Sequence, residues 1–208
     1  MKIAVIGATG HAGSRITNEL LKRGHHVRAI VRSQNNISSK SGLDVANSDL
    51  SDVAQLAEVL KGADAVVSAY RSPVDDNDQI IGTTNRITEA VKKNKQRLLV
   101  VGGAGGLFVA PGVTVITSGH LPEVALPIAK AHEQVRQDLE VSGADWTYFA
   151  PAGLFEPGER TGKFRLGKDD LIVDASGNSR ISMEDYATAV VDELEKPGHR
   201  SERFTIGY

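Results

Sequence analysis

The chain contains no cysteine, one tryptophan and two methionines, and aromatic residues fill only 5% of its 208 positions. Without thiols there is no disulfide, no cysteine nucleophile and no thiolate-bound zinc or iron–sulfur centre. An excess of one charge is missing too. Lys and Arg number 24 against 26 Asp and Glu, a formal net charge of −2, so nothing draws the chain to nucleic acid or an anionic membrane. The densest basic run, Lys92-Lys93-Asn94-Lys95, reads as a solvated helix end. No apolar stretch approaches the ~20 residues of a membrane span. The first strand begins at Lys2 with no signal-like region before it, so a soluble cytoplasmic protein is expected. The histidines show no i, i+4 pairing with a carboxylate nearby, so no metal site is expected. No G-x-S-x-G elbow of a serine hydrolase occurs.

Glycine, by contrast, is plentiful, at 21 residues. The most informative use is near the start. Lys2-Ile-Ala-Val-Ile6 is a short apolar run rich in β-branched residues, and Gly7-Ala-Thr-Gly10-His-Ala-Gly13 follows at once. A polar-faced helical stretch then runs from Ser14 to Arg23. Strand, glycine turn and helix together aim a helix N-terminus at a phosphate. Gly7 suits the tight turn, Gly10 a close approach of backbone to pyrophosphate, and Gly13 close packing of helix on strand. The spacing departs from G-x-G-x-x-G, because Thr9 stands where a middle glycine would be.

Strand-like and helix-like segments alternate beyond this point. Strands are predicted at Val27–Val31, Leu43–Val45, Ala63–Ala69, Leu98–Val101 and Trp146–Ala150, with helices at 12–23, 51–61, 78–94 and 123–141. Apolar strands alternating with helices indicate an α/β protein with a doubly wound parallel sheet, the Rossmann fold. After Pro151 the chain is punctuated by glycine and proline, with short segments at Phe164–Leu166 and Leu171–Val173. A helix capped by Ser182 with Asp185 at N3 follows, then a last strand at Phe204–Ile206. Residues 1–208 read as a single domain whose C-terminal third, about 151–208, forms a small substrate side on the same sheet. A monomer or a homodimer is expected.

The dinucleotide type rests on the end of the second strand. In NAD-preferring folds an acid there binds the ribose 2′-hydroxyl. Here the segment reads Val27-Arg-Ala-Ile-Val-Arg32-Ser33, and no acid lies between Glu19 and Asp44. A guanidinium at Arg32 would pair with a 2′-phosphate, so NADP(H) is preferred over NAD(H). Arg32 as a plain solvated arginine is the competing reading. Ser33 could add a hydroxyl contact, whereas Arg28 sits mid-strand.

These residues resemble those of the atypical short-chain dehydrogenase/reductases, specifically the NAD(P)-binding branch named NADH-flavin reductases, related to the flavin/biliverdin reductase type and to NmrA-like proteins. The resemblance spans nearly the whole chain. It is carried by Gly7–Gly13, Leu43-Asp-Val45, Ala63–Ala69, Val100-Val-Gly-Gly103, Lys130 with Glu133, Trp146–Ala152 and Ile181–Ala187. It implies that Thr9, Gly10 and His11 meet the phosphates, within a cofactor-binding turn that also takes in Gly7, Ala12 and Gly13, and that Arg32 meets the adenosine ribose end. By the same resemblance, Asp44 and Val45 border the adenine, and Ser68, Ala69 and Tyr70 line the ribose. Gly102 and Gly103 lie under the nicotinamide, and Pro151 covers it. Asp44 and Ser68 also suit turn capping at strand ends, and Tyr70 also suits loop packing.

The resemblance leaves catalysis open. Typical short-chain dehydrogenases carry a Tyr-x-x-x-Lys pair whose tyrosine protonates the developing alkoxide. Lys130 is present, but Leu126 stands at the tyrosine position. Gly105 and Gly153 occupy the places of a serine and a histidine in the flavin/biliverdin reductase relatives. Hydride transfer to a flavin needs mainly positioning, since the remaining proton can come from solvent. The glycine-rich stretch Gly102–Gly119 could leave room for a flat acceptor, with Phe108, Phe155 and Tyr70 as stacking candidates. The expected function is an NADPH-dependent oxidoreductase with Lys130 as its best functional side chain. Its partner would be a small aromatic acceptor, a flavin (FMN or FAD as substrate) or a quinone. The alternatives are a non-catalytic NADP-binding redox sensor of NmrA-like type and, less suited to this length, a nucleotide-sugar epimerase or dehydratase.

Overall fold

A computed structural model describes residues 1–32 and 40–208. Eight strands form one sheet: β1 (Lys2–Ile6), β2 (His26–Val31), β3 (Leu43–Asn47), β4 (Ala65–Ser68), β5 (Arg97–Val101), β8 (Asp145–Ala150), β10 (Arg165–Gly167) and β12 (Glu202–Gly207). Their spatial order is β10-β12-β8-β5-β4-β1-β2-β3. All neighbours are parallel except β10, which lies antiparallel on β12 at the edge. The central strands β4 and β5 are buried at every position, as expected where helices cover both faces of a parallel sheet.

The side-chain alternation of each strand divides the core in two. Ile3 and Val5 of β1 face α1 (His11–Lys22) and α5 (Met183–Glu195), where they meet Ile16, Leu20, Val190 and Val191. Ala4 and Ile6 face α2 (Val53–Leu60), α3 (Gln79–Asn94) and α4 (Leu126–Val141), where Leu56, Leu60, Ile87 and Val135 lie. On the α5 side the few aromatics stack into one column. The ring of Phe149 lies 3.9 Å from Phe204 and 4.4 Å from Tyr186, and Tyr186 Oη donates to the Phe149 carbonyl at 2.7 Å. No helix among the described residues is long and apolar enough to cross a membrane.

The predicted strands and helices are present, with differences at their ends. β3 runs on to Asn47 rather than stopping at Val45, because its ladder with β2 continues through Val31. The helix predicted at 123–141 opens with a 3-10 turn, Glu123–Ala125, before α4 begins. Leu171–Val173 is not a strand. Two small pairs escape a periodicity reading because of their length: β6 (Phe108–Ala110) with β7 (Val113–Thr114), and β9 (Leu154–Glu156) with β11 (Arg180–Ser182). The C-terminal third thus extends the main sheet through β12 and β10. It also supplies α5, which lies beside α1 on the first half of the sheet.

Candidate cofactor site

The carboxyl ends of β1, β4 and β5 define one edge, and the Gly7–Gly13 turn stands at its middle. Gly7 has φ +77°, and a Cβ there would lie 2.5 Å from the Ala69 carbonyl oxygen. Gly13 is equally constrained, since its Cβ would come within 2.8 Å of the Gly7 carbonyl carbon. Backbone touches backbone at both positions. At Gly10 the only neighbour a Cβ would meet is the Gly7 oxygen at 3.2 Å, so the space before it is open.

Gly10 is also the N-cap of α1, extended at φ −74° and ψ 171°, with no side chain capping the helix. Ser14 N–H bonds to the Gly10 carbonyl, which leaves the amides of His11, Ala12 and Gly13 without intrahelical acceptors. No acid occupies the first turn, and Thr9, Gly10 and His11 are exposed. Unsatisfied amides, the positive end of the helix dipole and a missing side chain together make an anion cradle. A dinucleotide pyrophosphate fits it.

The flanking positions are mixed. Arg32 follows β2 directly and is exposed, at the edge where a 2′-phosphate would lie. Ser33 falls outside the described residues. Arg28 is occupied elsewhere, donating to the Val59 and Lys61 carbonyls at 3.0 and 3.1 Å. Asp44 and Val45 do not reach the edge. They pair with Arg28 and Ala29, while Asn47 pairs with Val31 at the strand's end, so they sit about 7–10 Å back along β3. The continued ladder corrects that assignment.

The residues at the open end of β3 are Ser48, Asp49 and Leu50, which the sequence reading missed. Ser48 N–H bonds to the Val31 carbonyl, and Leu50 takes a left-handed φ of 65°. Asp49 is exposed and accepts from Ser51 Oγ and N–H at 2.6 and 2.9 Å. Those bonds hold its carboxyl below the usual range. The clue in the sequence was the polar run Ser48-Asp-Leu-Ser-Asp52 just ahead of α2.

On the other side of Gly7, Ala69 N–H bonds to the Ile6 carbonyl at 2.9 Å, joining β4 to the turn. Ser68 is 2% exposed at the end of β4. Tyr70 is half-buried and its Oη donates to Gln79 Oε1 on α3 at 2.5 Å. Pro151 is buried just after β8.

The loop after β5 is glycine-rich for a different reason from the first. A Cβ on Gly102 would lie 2.5 Å from Cζ of Tyr148, and one on Gly103 would lie 3.2 Å from Cγ of His132. Gly105 faces Ala129 and Ile116, and Gly106 faces Glu133 and Arg203. The space these glycines vacate is taken by the protein's own side chains, not left for an acceptor. Of the stacking candidates, Phe155 lies 4.7 Å from the Tyr186 ring and Tyr70 is bonded to Gln79, whereas Phe108 is half-buried in β6. Tyr148 Oη accepts from Gly103 N–H at 2.9 Å and donates to the His132 carbonyl at 3.2 Å. Burial raises the pKa of that phenol, so it stays protonated as a structural tie.

On α4, Lys130 is exposed, and it is His132 that packs on Gly103. Leu126 supplies no hydroxyl at the position of the missing tyrosine, and Gly153 N–H bonds to Ser179 Oγ at 3.0 Å. Among the described residues no group of three or more His, Cys, Asp or Glu is arranged to hold a metal ion.

The NAD(P)H-binding family model matches residues 7–197. The chain belongs to the NAD(P)H-binding family. It is 42% identical to the uncharacterized protein YwnB of Bacillus subtilis (strain 168), over 99% of this chain and 98% of that one. It is 48% identical to a solved structure described as a "putative epimerase" from Bacteroides thetaiotaomicron, with TM-score 0.93, covering 100% and 96% of the two chains. A "putative NADH-flavin reductase" from Streptococcus pneumoniae TIGR4 is 35% identical with TM-score 0.90, covering 100% and 99%. The Rossmann fold and a nicotinamide dinucleotide are thus common to the family and to the geometry around Gly10. The chain is reductase-like.

Proposed function

We propose that the protein is an NADPH-dependent reductase that passes hydride to a flat conjugated acceptor, a flavin or a quinone. The observation that carries this reading is the uncapped α1 terminus at Gly10, open in front and closed behind by backbone. The pyrophosphate would rest on the amides of His11, Ala12 and Gly13, with Thr9 beside it. Arg32 would pair with the 2′-phosphate. The adenine would lie toward Asp49 and Leu50, and Ala69, Tyr70 and Gly102–Gly103 would border the ribose and nicotinamide, with Pro151 beyond.

When bound, the reduced nicotinamide supplies hydride. The chain's own part is to hold that ring at the sheet edge and to keep the acceptor against it. Leu126 stands in place of the tyrosine that would give an alkoxide its proton. An acceptor whose reduced form takes its proton from water is therefore favoured over a simple ketone. Lys130, exposed on α4, would hold the ribose or the acceptor. The name of the Streptococcus pneumoniae protein supports the same acceptor class.

The test is steady-state NADPH oxidation with FMN, riboflavin and menadione, together with Kd values for NADPH and NADH. Turnover with at least one flat acceptor is expected. Arg32→Ala is expected to weaken NADPH about tenfold, ~1.4 kcal/mol, and to leave NADH unchanged. Tight NADP binding with no turnover on any acceptor would replace the reductase by a redox sensor.

A further inference from the structure

His132 touches the loop under the proposed nicotinamide position, yet no role has fallen to it. α4 buries Ala131, Val135 and Leu139, and the next residue after Ala131 turns its ring onto Gly103. The His132 carbonyl accepts from Tyr148 Oη, which in turn accepts from Gly103 N–H. The residue is thus held against the loop by its ring at Gly103 and by its main-chain carbonyl through Tyr148.

Its two ring nitrogens are not equivalent. Nδ1 is buried and has no hydrogen-bond partner among the described residues, while the residue as a whole is only half-buried. The open part of the ring is therefore its Nε2 edge. Burying an N–H without an acceptor costs about 1–3 kcal/mol, and a bare acceptor is the better tolerated of the two. The proton belongs on Nε2. Burial, with the charge of Arg71 nearby, lowers the imidazole pKa to about 4. At neutral pH the group is an uncharged donor.

We infer that the Nε2–H of His132 is the hydrogen-bond donor this site offers to a carbonyl oxygen of the acceptor, where Leu126 leaves no tyrosine hydroxyl. Quinones and flavins both carry such carbonyls. One proton and two electrons arrive as hydride from the reduced cofactor, which is left oxidised. The charge that collects on the acceptor oxygen is met by Nε2–H, and the second proton comes from water. His132 keeps its own proton throughout. This rests on the reductase reading above.

Two variants and one spectrum test it. His132→Phe keeps an aromatic ring on Gly103 and removes the donor, whereas His132→Gln returns an amide N–H near the Nε2 position. With menadione and FMN, the Phe variant is expected to lose about tenfold or more in kcat with NADPH affinity unchanged, and the Gln variant to recover part of the loss. Imidazole 15N shifts are expected to show the Nε2–H tautomer at pH 7. Adding FMN or menadione to NADP+-saturated protein is expected to move Nε2. An Nδ1–H tautomer, an Nε2 signal that ignores the acceptor, or a Phe variant as fast as the Gln variant overturns the role of His132. Failure of the wild type to oxidise NADPH with every acceptor strikes the reductase reading instead, and the 15N spectra then decide on His132 alone.

Discussion

The two glycine-rich loops at the sheet edge share a composition and differ in what their glycines are for. In Gly7–Gly13, backbone packs on backbone at Gly7 and Gly13, and the one glycine with free space before it, Gly10, sits at a bare helix end. In Gly102–Gly106, four of the five residues are glycines, and Tyr148, His132, Ile116, Ala129 and Glu133 fill the room those glycines leave. The first loop is shaped for a guest. The second is shaped for its own neighbours, and glycine count alone does not separate the two cases.

Substitutions break or sharpen that contrast. The largest effect is expected in the first loop, where Gly13→Val should cost about 3 kcal/mol of stability through the clash with Gly7, read as a lowered urea midpoint. Gly10→Val should leave that midpoint nearly in place and weaken NADPH by about a hundredfold, ~2.7 kcal/mol, by calorimetry. If both variants lose stability equally, Gly10 is no more open than Gly13. In the second loop, Gly102→Ala should cost about 1–3 kcal/mol by displacing the buried Tyr148 ring. Unchanged stability there would mean that the loop yields freely and has room to offer.

The smallest effect concerns a buried carboxyl in the first turn of α5. Asp185 is fully buried. Burial by itself would raise its pKa, but bonds from Thr161 Oγ1, Gly162 N–H and Tyr208 Oη outweigh that and lower it. A carboxyl lowered in the folded state adds stability above its unfolded pKa of about 3.9, lost as pH falls through the folded value. Asp185→Asn should therefore flatten the acid limb of the Tm–pH curve, and an unaltered slope would remove Asp185 from the acid response.

What the sequence disclosed follows from the same physics. Buried parallel strands such as β4 and β5 are continuous apolar runs, and the constraint at Gly7 and Gly13 is local to the chain, so both were legible. β3 borders the sheet and alternates weakly, with Asp44 and Asn47 exposed. Alternation alone does not locate its end, so Asp44 reads as an edge residue although the ladder with β2 continues to Asn47. His132, two residues beyond Lys130, lies on a different face of α4. Which face meets Gly103 depends on how α4 packs against a loop far away in sequence. The fillers of the second glycine loop, Tyr148 and Glu133, were hidden for the same reason.

The helix behind the Gly7–Gly13 turn also leans on α5. α1 shares its apolar side with α5 and is tied across by Arg15 to Glu184, by Arg23 to Asp192 and Glu195, and by Glu19 to Arg160. The helix behind the first glycine turn is thus buttressed by side chains that lie far from it in sequence. A proteolytic nick that freed α5 should therefore loosen the helix behind Gly10 without cutting it.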